Sequence, residues 1–325
     1  MLRSPLIRPC LHRVHLLEFM LMLTFSRIYR YVFLAGLVIA VYDHLLTFST
    51  EVKYIWLTKL RPSTCWFLAA RYIGLIGNII VSVFYFGALS HEVCSSICCS
   101  VRLNQVRFYV LSKSCIRMLT VWEIFIISQE GLIETTLSIR VFAMYDRNIW
   151  VLVPLLVLVC ISMTLAVVGA VKLDGPAQNL AAPGINGCNT PYSRSTADHV
   201  AKAWMGILAC DVLVFALTVR QAYMQHHRSK PYAGSLILRM LKDGSMYFGV
   251  IVLATIANIS TLYLGDILLS GFLCWFTSSL SLTLLCRLML NLHDAGAGRI
   301  DTLELNTLDL ASIQPRGNDD GDDGG

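Results

Sequence analysis

Apolar residues occur along the chain in continuous runs of about twenty, a length that lets a helix cross the roughly 30 Å hydrocarbon core of a bilayer. Short polar segments separate these runs, and the runs do not alternate in the segments of about ten residues that membrane β-strands show. The pattern therefore predicts an all-α, polytopic membrane helix bundle. Seven transmembrane helices are expected, at residues 31–49, 65–89, 119–143, 149–171, 200–221, 246–264 and 268–290.

Two terminal segments flank the predicted seven-helix membrane domain, residues 31–293. Residues 1–30 are basic and contain only a short apolar stretch, Leu16–Phe25. No small-residue cleavage site follows that stretch, so an interfacial helix or a misassigned start codon explains it better than a signal peptide. Residues 294–325 are polar and acidic, and we expect them to be disordered.

The composition supports the lipid bilayer as the surrounding solvent. Of the 325 residues, 56% are hydrophobic and 14% are charged. A soluble globular domain carries about a quarter charged residues, so this chain has too few to cover a water-facing surface. The net charge of +5 is spread over several loops rather than gathered on one face, and nucleic acid is not an expected partner.

The lysine and arginine residues of the loops predict the orientation of the bundle. The segments after the first, third and fifth spans are richer in these residues than the segments after the fourth and sixth spans. By the positive-inside rule, the N-terminus lies outside and the C-terminus lies in the cytoplasm. The basic N-terminal segment and the basic segment between the second and third spans count against this orientation. We expect an integral multi-pass protein of the plasma membrane rather than of an internal membrane.

A sequence motif begins in the first span: Tyr42-Asp43-His44-Leu45-Leu46-Thr47 followed by Glu51-Val52-Lys53-Tyr54-Ile55-Trp56. Through this motif the chain resembles an uncharacterised family of seven-helix membrane proteins of mushroom-forming (basidiomycete) fungi, whose shared N-terminal region is a domain of unknown function. The signature covers residues 31–89, and the likeness extends over residues 31–293. The resemblance implies a seven-helix membrane protein without an established activity. Further matches lie at Arg71-Tyr72, Arg140–Tyr145, Arg147-Asn148, Lys242–Phe248 and Arg287–Leu292.

Residues 97–118 depart from the family pattern, which expects a shorter link from Cys94 to the third span. They fit neither a helix nor a loop marked by glycine and proline. A structureless loop of this length is uncommon in a compact domain. We interpret the segment either as a retained intron or as a lineage insertion, with family-like sequence resuming at Val121.

Ionisable side chains inside the predicted spans are candidate functional residues, because a charge at the centre of a span costs roughly 2.5–3.5 kcal/mol. Glu123, Glu130 and Glu134 are separated by seven and four residues, which places them within about 40° on one face of the third helix. That helix is expected to lie inside the bundle. The predicted intramembrane polar cluster consists of Asp43, Arg71, Glu123, Glu130, Glu134, Arg140, Asp211, Asn258 and Arg287.

The similar depth of Arg71 and Glu134 predicts an ion pair between these two residues. Two roles are open for the cluster as a whole. Its members either lock the packing of the helices, which we favour, or line a water-filled cavity for an ion, a proton or a small ligand. Asp211 has no basic residue within reach in its own span, so it is either a protonated carboxyl bonded to a neighbouring helix or a ligand contact.

Cys94 and Cys188 both fall in predicted external loops, where a disulfide between them would persist. The alternative is two free thiols. The spacing of His91, Cys94, Cys98 and Cys99 matches no standard zinc site, so neither a metal nor a cofactor is predicted. The sequence also lacks a phosphate-binding loop and the GxSxG and HExxH motifs, and we do not expect an enzyme.

The seven-helix pattern favours a receptor-like protein by analogy with other seven-helix proteins. The sequence predicts no particular ligand. A cytoplasmic protein partner is expected to face Arg140–Arg147 and Arg220–Lys242. A membrane enzyme would need a nucleophile or a metal set that the sequence does not offer. The main alternative is a transporter or channel that uses Glu123, Glu130, Glu134 and Asp211. The odd number of helices and the lack of an internal repeat count against this hypothesis.

Overall fold

The computed structural model of the chain describes residues 7–57, 62–87, 104–171, 194–228, 234–265 and 270–292. These residues form seven long α-helices and no strand. The predicted all-α bundle of seven helices is therefore confirmed. The helices are α1 (Ile7–Glu51), α2 (Pro62–Gly87), α3 (Asn104–Met144), α4 (Ile149–Val171), α5 (Arg194–Arg228), α6 (Gly234–Leu264) and α7 (274–292).

Five of these helices contain stretches long and apolar enough to cross a bilayer, which supports a protein embedded in a membrane. Polar residues interrupt the apolar stretches of the other two, α3 and α7. Both carry deeply buried side chains, such as Leu137 on α3 and Trp275 on α7, which are at most 2% exposed. The predicted position of the third helix inside the bundle is thus confirmed. The five apolar stretches are Leu23–Trp56, Thr64–Val83, Ile149–Val171, Arg194–Met224 and Met246–Leu264.

The first helix begins far earlier than predicted. It is continuous for 45 residues, from Ile7 to Glu51, and a short π-helical segment, Val52–Trp56, follows it directly. At a rise of 1.5 Å per residue, the helix is about 68 Å long, more than twice the thickness of the hydrocarbon core. The boundary predicted at residue 31 is therefore not a break in the helix, and a separate interfacial helix before it is wrong.

The third helix also begins before its predicted start. Residues 104–118 belong to α3, so the prediction that residues 97–118 do not fit a helix is wrong for this part. Residues 97–103 and the predicted disordered segment, 294–325, lie outside the described residues. The choice between a retained intron and a lineage insertion stays a prediction, which the sequence of the transcript across this segment decides.

Helix α7 lies against α1, α2 and α3, and aromatic and amide contacts hold it there. The rings of Phe33 and Trp275 stack with their centroids 4.8 Å apart. The Ser279 hydroxyl donates a hydrogen bond of 2.8 Å to Asn78 Oδ1, and Asn78 Nδ2 donates to Gln129 Oε1 at 3.3 Å. The remaining helices pack α3 against α4 and α5, and α5 against α6.

An apolar layer fills the half of the bundle in which α3 ends and α4 begins, which we call the α3–α4 end. It comprises Leu137, Val141, Leu155, Val214 and Leu285, each at most 1% exposed. The opposite half, where α4 ends and α5 and α7 begin, is the α4–α5 end. Large side chains such as Trp122, Trp204 and Trp275 are buried in this second half, and small side chains and carboxyls beside them leave open space.

Candidate functional site

A partly enclosed cavity of about 50 Å³ lies between α3, α4, α5 and α7 at the α4–α5 end. Small residues make room for it. Ala166 on α4 and Ala203 on α5 line its wall together with the larger Met163 and Trp204. Ala170, which follows Ala166 by one helical turn, also lines the cavity, so the two alanines lie on one face of α4.

Two carboxyl groups of α3 line the cavity. Glu123 and Glu130 are seven residues apart, so two turns of α3 place them on the same face, as the sequence predicts. Both are buried, at 7% and 3% exposed. No basic side chain is among the lining residues of the described part of the chain. The electrostatic potential of the cavity is therefore negative wherever these carboxyls are ionised.

Buried polar side chains of α6 and α7 lie next to this cavity. Glu130 lies against the hydroxyl of Ser278, and Asn258 lies against the thiol of Cys274, which lines the cavity. Cys274 and Ser278 are one turn apart on α7, so the two contacts lie close together. We call Glu130, Asn258 and Ser278 the polar floor, of which Glu130 is the member that lines the cavity.

A pair of carboxyls lies one turn of α3 deeper in the bundle. Glu134 is 1% exposed and Asp211 is 2% exposed, and the two side chains lie against each other. The Thr255 hydroxyl donates a hydrogen bond of 3.2 Å to Asp211 Oδ2. Two carboxyls in contact repel each other when both are charged, so this arrangement is stable when the pair holds a proton. It fits the predicted role of Asp211 as a protonated carboxyl that bonds a neighbouring helix.

The predicted ion pair between Arg71 and Glu134 is wrong. Arg71 Nε lies 2.8 Å from Glu51 Oε2, and both side chains are almost fully buried, at 3% and 0% exposed. Arg71 Nη2 also donates to Thr47 Oγ1 at 2.7 Å. Helix α2 turns Arg71 toward the end of α1, away from α3. Glu51 was absent from the predicted cluster because it lies just beyond the predicted end of the first span.

Asp43 and Arg287 form a second ion pair, which joins α1 to α7. Asp43 is 5% exposed and Arg287 is 40% exposed. A small cavity of about 20 Å³, lined by Asp43, His44 and Arg71, separates this pair from the pair of Arg71 and Glu51. Asp43, Arg71 and Arg287, for which the sequence predicts a similar depth, thus belong to two neighbouring ion pairs, and the partner of Arg71 differs from the predicted one.

Arg140 lies near the end of α3 and has no carboxylate partner within the described residues. It is 8% exposed, and its guanidinium carbon lies 5.4 Å from the centroid of the Phe248 ring on α6. An aromatic face partly compensates a cation in such surroundings. The structure thus divides the predicted cluster into the cavity residues, the pair of Glu134 and Asp211, the ion pairs of α1, and Arg140.

The predicted disulfide between Cys94 and Cys188 lies outside the described residues, as do His91, Cys98 and Cys99. Within the ranges that the structure describes, no three or more His, Cys, Asp or Glu side chains converge closely enough to hold a metal ion.

Residues 31–76 match the model of a protein family of unknown function, DUF6533. The matched segment covers the C-terminal half of α1, the π-helical segment and the first half of α2, and it includes Asp43, Glu51 and Arg71. Neither a curated protein nor a solved structure matches the chain. The chain therefore combines a domain of unknown function with a set of helices suited to a membrane.

Proposed function

We propose that this chain is a receptor-like seven-helix membrane protein, which binds a small ligand in the cavity between α3, α4, α5 and α7. The observation that supports the proposal is the cavity itself, which has two buried carboxyls in an otherwise mostly apolar lining at one end of the bundle. Ligand sites are concave, mostly apolar and supplied with a few polar groups that fix orientation, and this cavity has that character.

Helix α3 is the element that would carry the bound state to the other end of the bundle. It presents Glu130 to the cavity and Arg140 to Phe248 of α6. A helix is stiff, so a small shift of α3 at the cavity also moves its end at the α3–α4 end. In the orientation that the loop charges support, this end faces the cytoplasm, where Arg147 and neighbouring residues would contact a protein partner.

A transporter or channel is the alternative, and one observation favours it. The carboxyls of Glu130, Glu134 and Asp211 lead from the cavity toward the interior, which is an arrangement that proton pathways use. Below them, however, the described part of the apolar layer closes the bundle with Leu137 and Val214. A closed layer supports binding at one end more than passage through the bundle.

The experiment is a thermal-shift screen of ions, lipids and small metabolites against the full chain purified in detergent. A ligand present at a hundred times its dissociation constant should stabilise the folded state by about 2.7 kcal/mol. Ala166→Leu fills the cavity wall and should abolish the shift. Ala209→Leu makes the same change on an exposed position of α5 and should preserve it.

Reconstitution into liposomes separates the two candidate functions. A receptor-like protein should bind the identified ligand without net uptake into the liposomes. Uptake of the ligand, driven by its own gradient or by a proton gradient, would reject the receptor-like proposal in favour of transport. Equal thermal shifts in Ala166→Leu and Ala209→Leu would show that the ligand does not bind in the cavity.

A further inference from the structure

We propose that the α3–α4 end of the bundle binds the acidic segment of the same chain, residues 294–325. The binding surface is formed by Arg140, Arg147 and Arg220, which we call the basic face. This inference rests on the proposed function, because the protein partner would meet the same surface. The acidic segment would then compete with that partner and regulate its access.

Two members of the basic face are exposed beside the end of α3. Arg147 lies in the turn between α3 and α4, and Arg220 lies on α5. The side chain next to Arg220, Gln221, donates a hydrogen bond of 3.0 Å from Nε2 to the carbonyl oxygen of Met144, the last residue of α3. Arg220 is therefore level with the end of α3. Asp146 is the exposed acidic residue of the same turn, and the arginines outnumber it.

The third member, Arg140, has no counter-charge among the described residues. It is 8% exposed, and its Nη1 has no hydrogen-bond partner in the described part of the chain. The Phe248 ring, 5.4 Å away, attracts a cation but cannot accept the paired hydrogen bonds that a carboxylate accepts from a guanidinium. An arginine that served only the lipid headgroups would extend outward to them. An acidic group that enters between α3 and α6 supplies what Arg140 lacks.

The acidic segment carries the matching charge. Residues 294–325 contain eight aspartates and glutamates, two arginines and no lysine. Hydrogen bonds between arginine and carboxylate are charge-assisted and often bidentate. A group of closely spaced carboxylates can therefore bind several arginines at once. The segment contains such a group, formed by Asp319, Asp320, Asp322 and Asp323.

The path of the chain brings the acidic segment to this end of the bundle. Near the end of α7, Asn291 Nδ2 donates a hydrogen bond of 3.2 Å to the Tyr247 hydroxyl, and the next ring along α6 is the one that faces Arg140. An extended chain from the end of α7 to Asp319 covers up to about 90 Å, so its length does not limit the contact. Binding through such a linker proceeds at an effective concentration of about millimolar order, an advantage that a separate protein lacks.

The test follows a fluorescent peptide of residues 317–325 by anisotropy, with the full chain in an uncharged detergent. The neutralised variant carries Asp319→Asn, Asp320→Asn, Asp322→Asn and Asp323→Asn, so its own segment cannot occupy the basic face. It should bind the peptide saturably, and more weakly as salt is added. The unaltered chain should bind the peptide at least about tenfold more weakly, because its own segment competes.

Single changes added to the neutralised variant locate the site. Arg140→Gln and Arg220→Gln should each weaken the binding of the peptide about tenfold. Arg194→Gln is the matched control, because Arg194 is equally exposed but begins α5 at the opposite end of the bundle, and it should leave the affinity unchanged. Equal affinity in the unaltered chain and the neutralised variant would overturn the inference. So would equal affinity in Arg220→Gln and Arg194→Gln, which holds even if Arg140→Gln does not fold.

Phosphatidylserine added to the micelles distinguishes the acidic segment from anionic lipid. The peptide should remain bound to the neutralised variant. Displacement by phosphatidylserine, but not by phosphatidylcholine, would assign the basic face to the bilayer surface and overturn the inference. These outcomes do not involve the cavity, so the ligand screen tests the receptor-like proposal separately.

Discussion

Replacing either Arg71 or Glu51 with alanine should destabilise the folded protein by about 3–5 kcal/mol, because each change leaves the partner's charge buried and unpaired. Arg71 Nε and Glu51 Oε2 lie 2.8 Å apart, and the side chains are 3% and 0% exposed. Neither charge is therefore in contact with bulk water in the folded protein.

The structure allows the magnitude to be worked out in more detail. Coulomb's law with an effective dielectric constant of about 20 gives about 6 kcal/mol of attraction at the observed separation, and desolvation of both charges offsets much of it. Glu51 Oε1 also accepts hydrogen bonds from Tyr72 at 2.9 Å and from Trp56 at 3.0 Å. These bonds remain in Arg71→Ala and partly stabilise the lone carboxylate, so this variant should lie near the lower end of the range.

The assay is a double-mutant cycle, with the free energy of unfolding measured by denaturant titration in mixed micelles. The double variant should recover much of the loss, since no lone charge remains, and the coupling should be about 0.5–3 kcal/mol. Lys202→Ala is the control, because Lys202 and Asp198 form a pair at 2.5 Å whose side chains are 47% and 48% exposed. It should leave the free energy of unfolding almost unchanged, because water screens an exposed pair. Simple additivity of the two single losses would refute the reasoning.

Two further predictions concern packing and orientation. Gly206→Ala would place a methyl group 2.8 Å from Ser162 Cβ and 3.1 Å from Ser162 Cα, so α4 and α5 must move apart. This variant should lose about 1–3 kcal/mol of stability, measured as a fall in the melting temperature. Gly249→Ala is the control, because its methyl group meets nothing within 4 Å, and it should not lower the melting temperature. A tag after Gly325 should resist protease added to intact cells, whereas a tag within 172–199 should be cut. The reverse cleavage pattern would invert the proposed orientation.

The sequence predicts the helices well because a helix that crosses the bilayer needs about twenty consecutive apolar residues, and such runs are visible in the sequence itself. It predicts the shared face of Glu123 and Glu130 for a similar reason, since two turns of one helix relate them. The helix starts are predicted poorly. Basic and polar residues before residues 31 and 119 suggested boundaries, but a helix continues into water or the headgroup region without any change in its backbone geometry.

Partners between helices are the part that sequence reasoning could not reach. Arg71 and Glu134 have similar depth, but depth does not determine which helices are neighbours or how each is rotated about its axis. Because of those two properties, Arg71 forms its ion pair with Glu51 instead of Glu134. One signal was nevertheless available for the missed Ser278, because α7 carries an unusual density of hydroxyl side chains. Such a run inside a span indicates side chains that are buried against other helices. The structure buries five of these hydroxyl residues: Thr277, Ser278, Ser279, Ser281 and Thr283.

The family match bears on the two ends of the bundle differently. It covers residues 31–76, which include Asp43 and the buried pair of Arg71 and Glu51, so it concerns the part of the bundle where α1 and α2 are tied together. Glu130 and the rest of the polar floor come from α3, α6 and α7, beyond the matched segment. A protein that shares only this segment can keep the same anchoring contacts and still have a cavity with a different lining. The chemistry of the cavity therefore has to be read from each chain's own later helices.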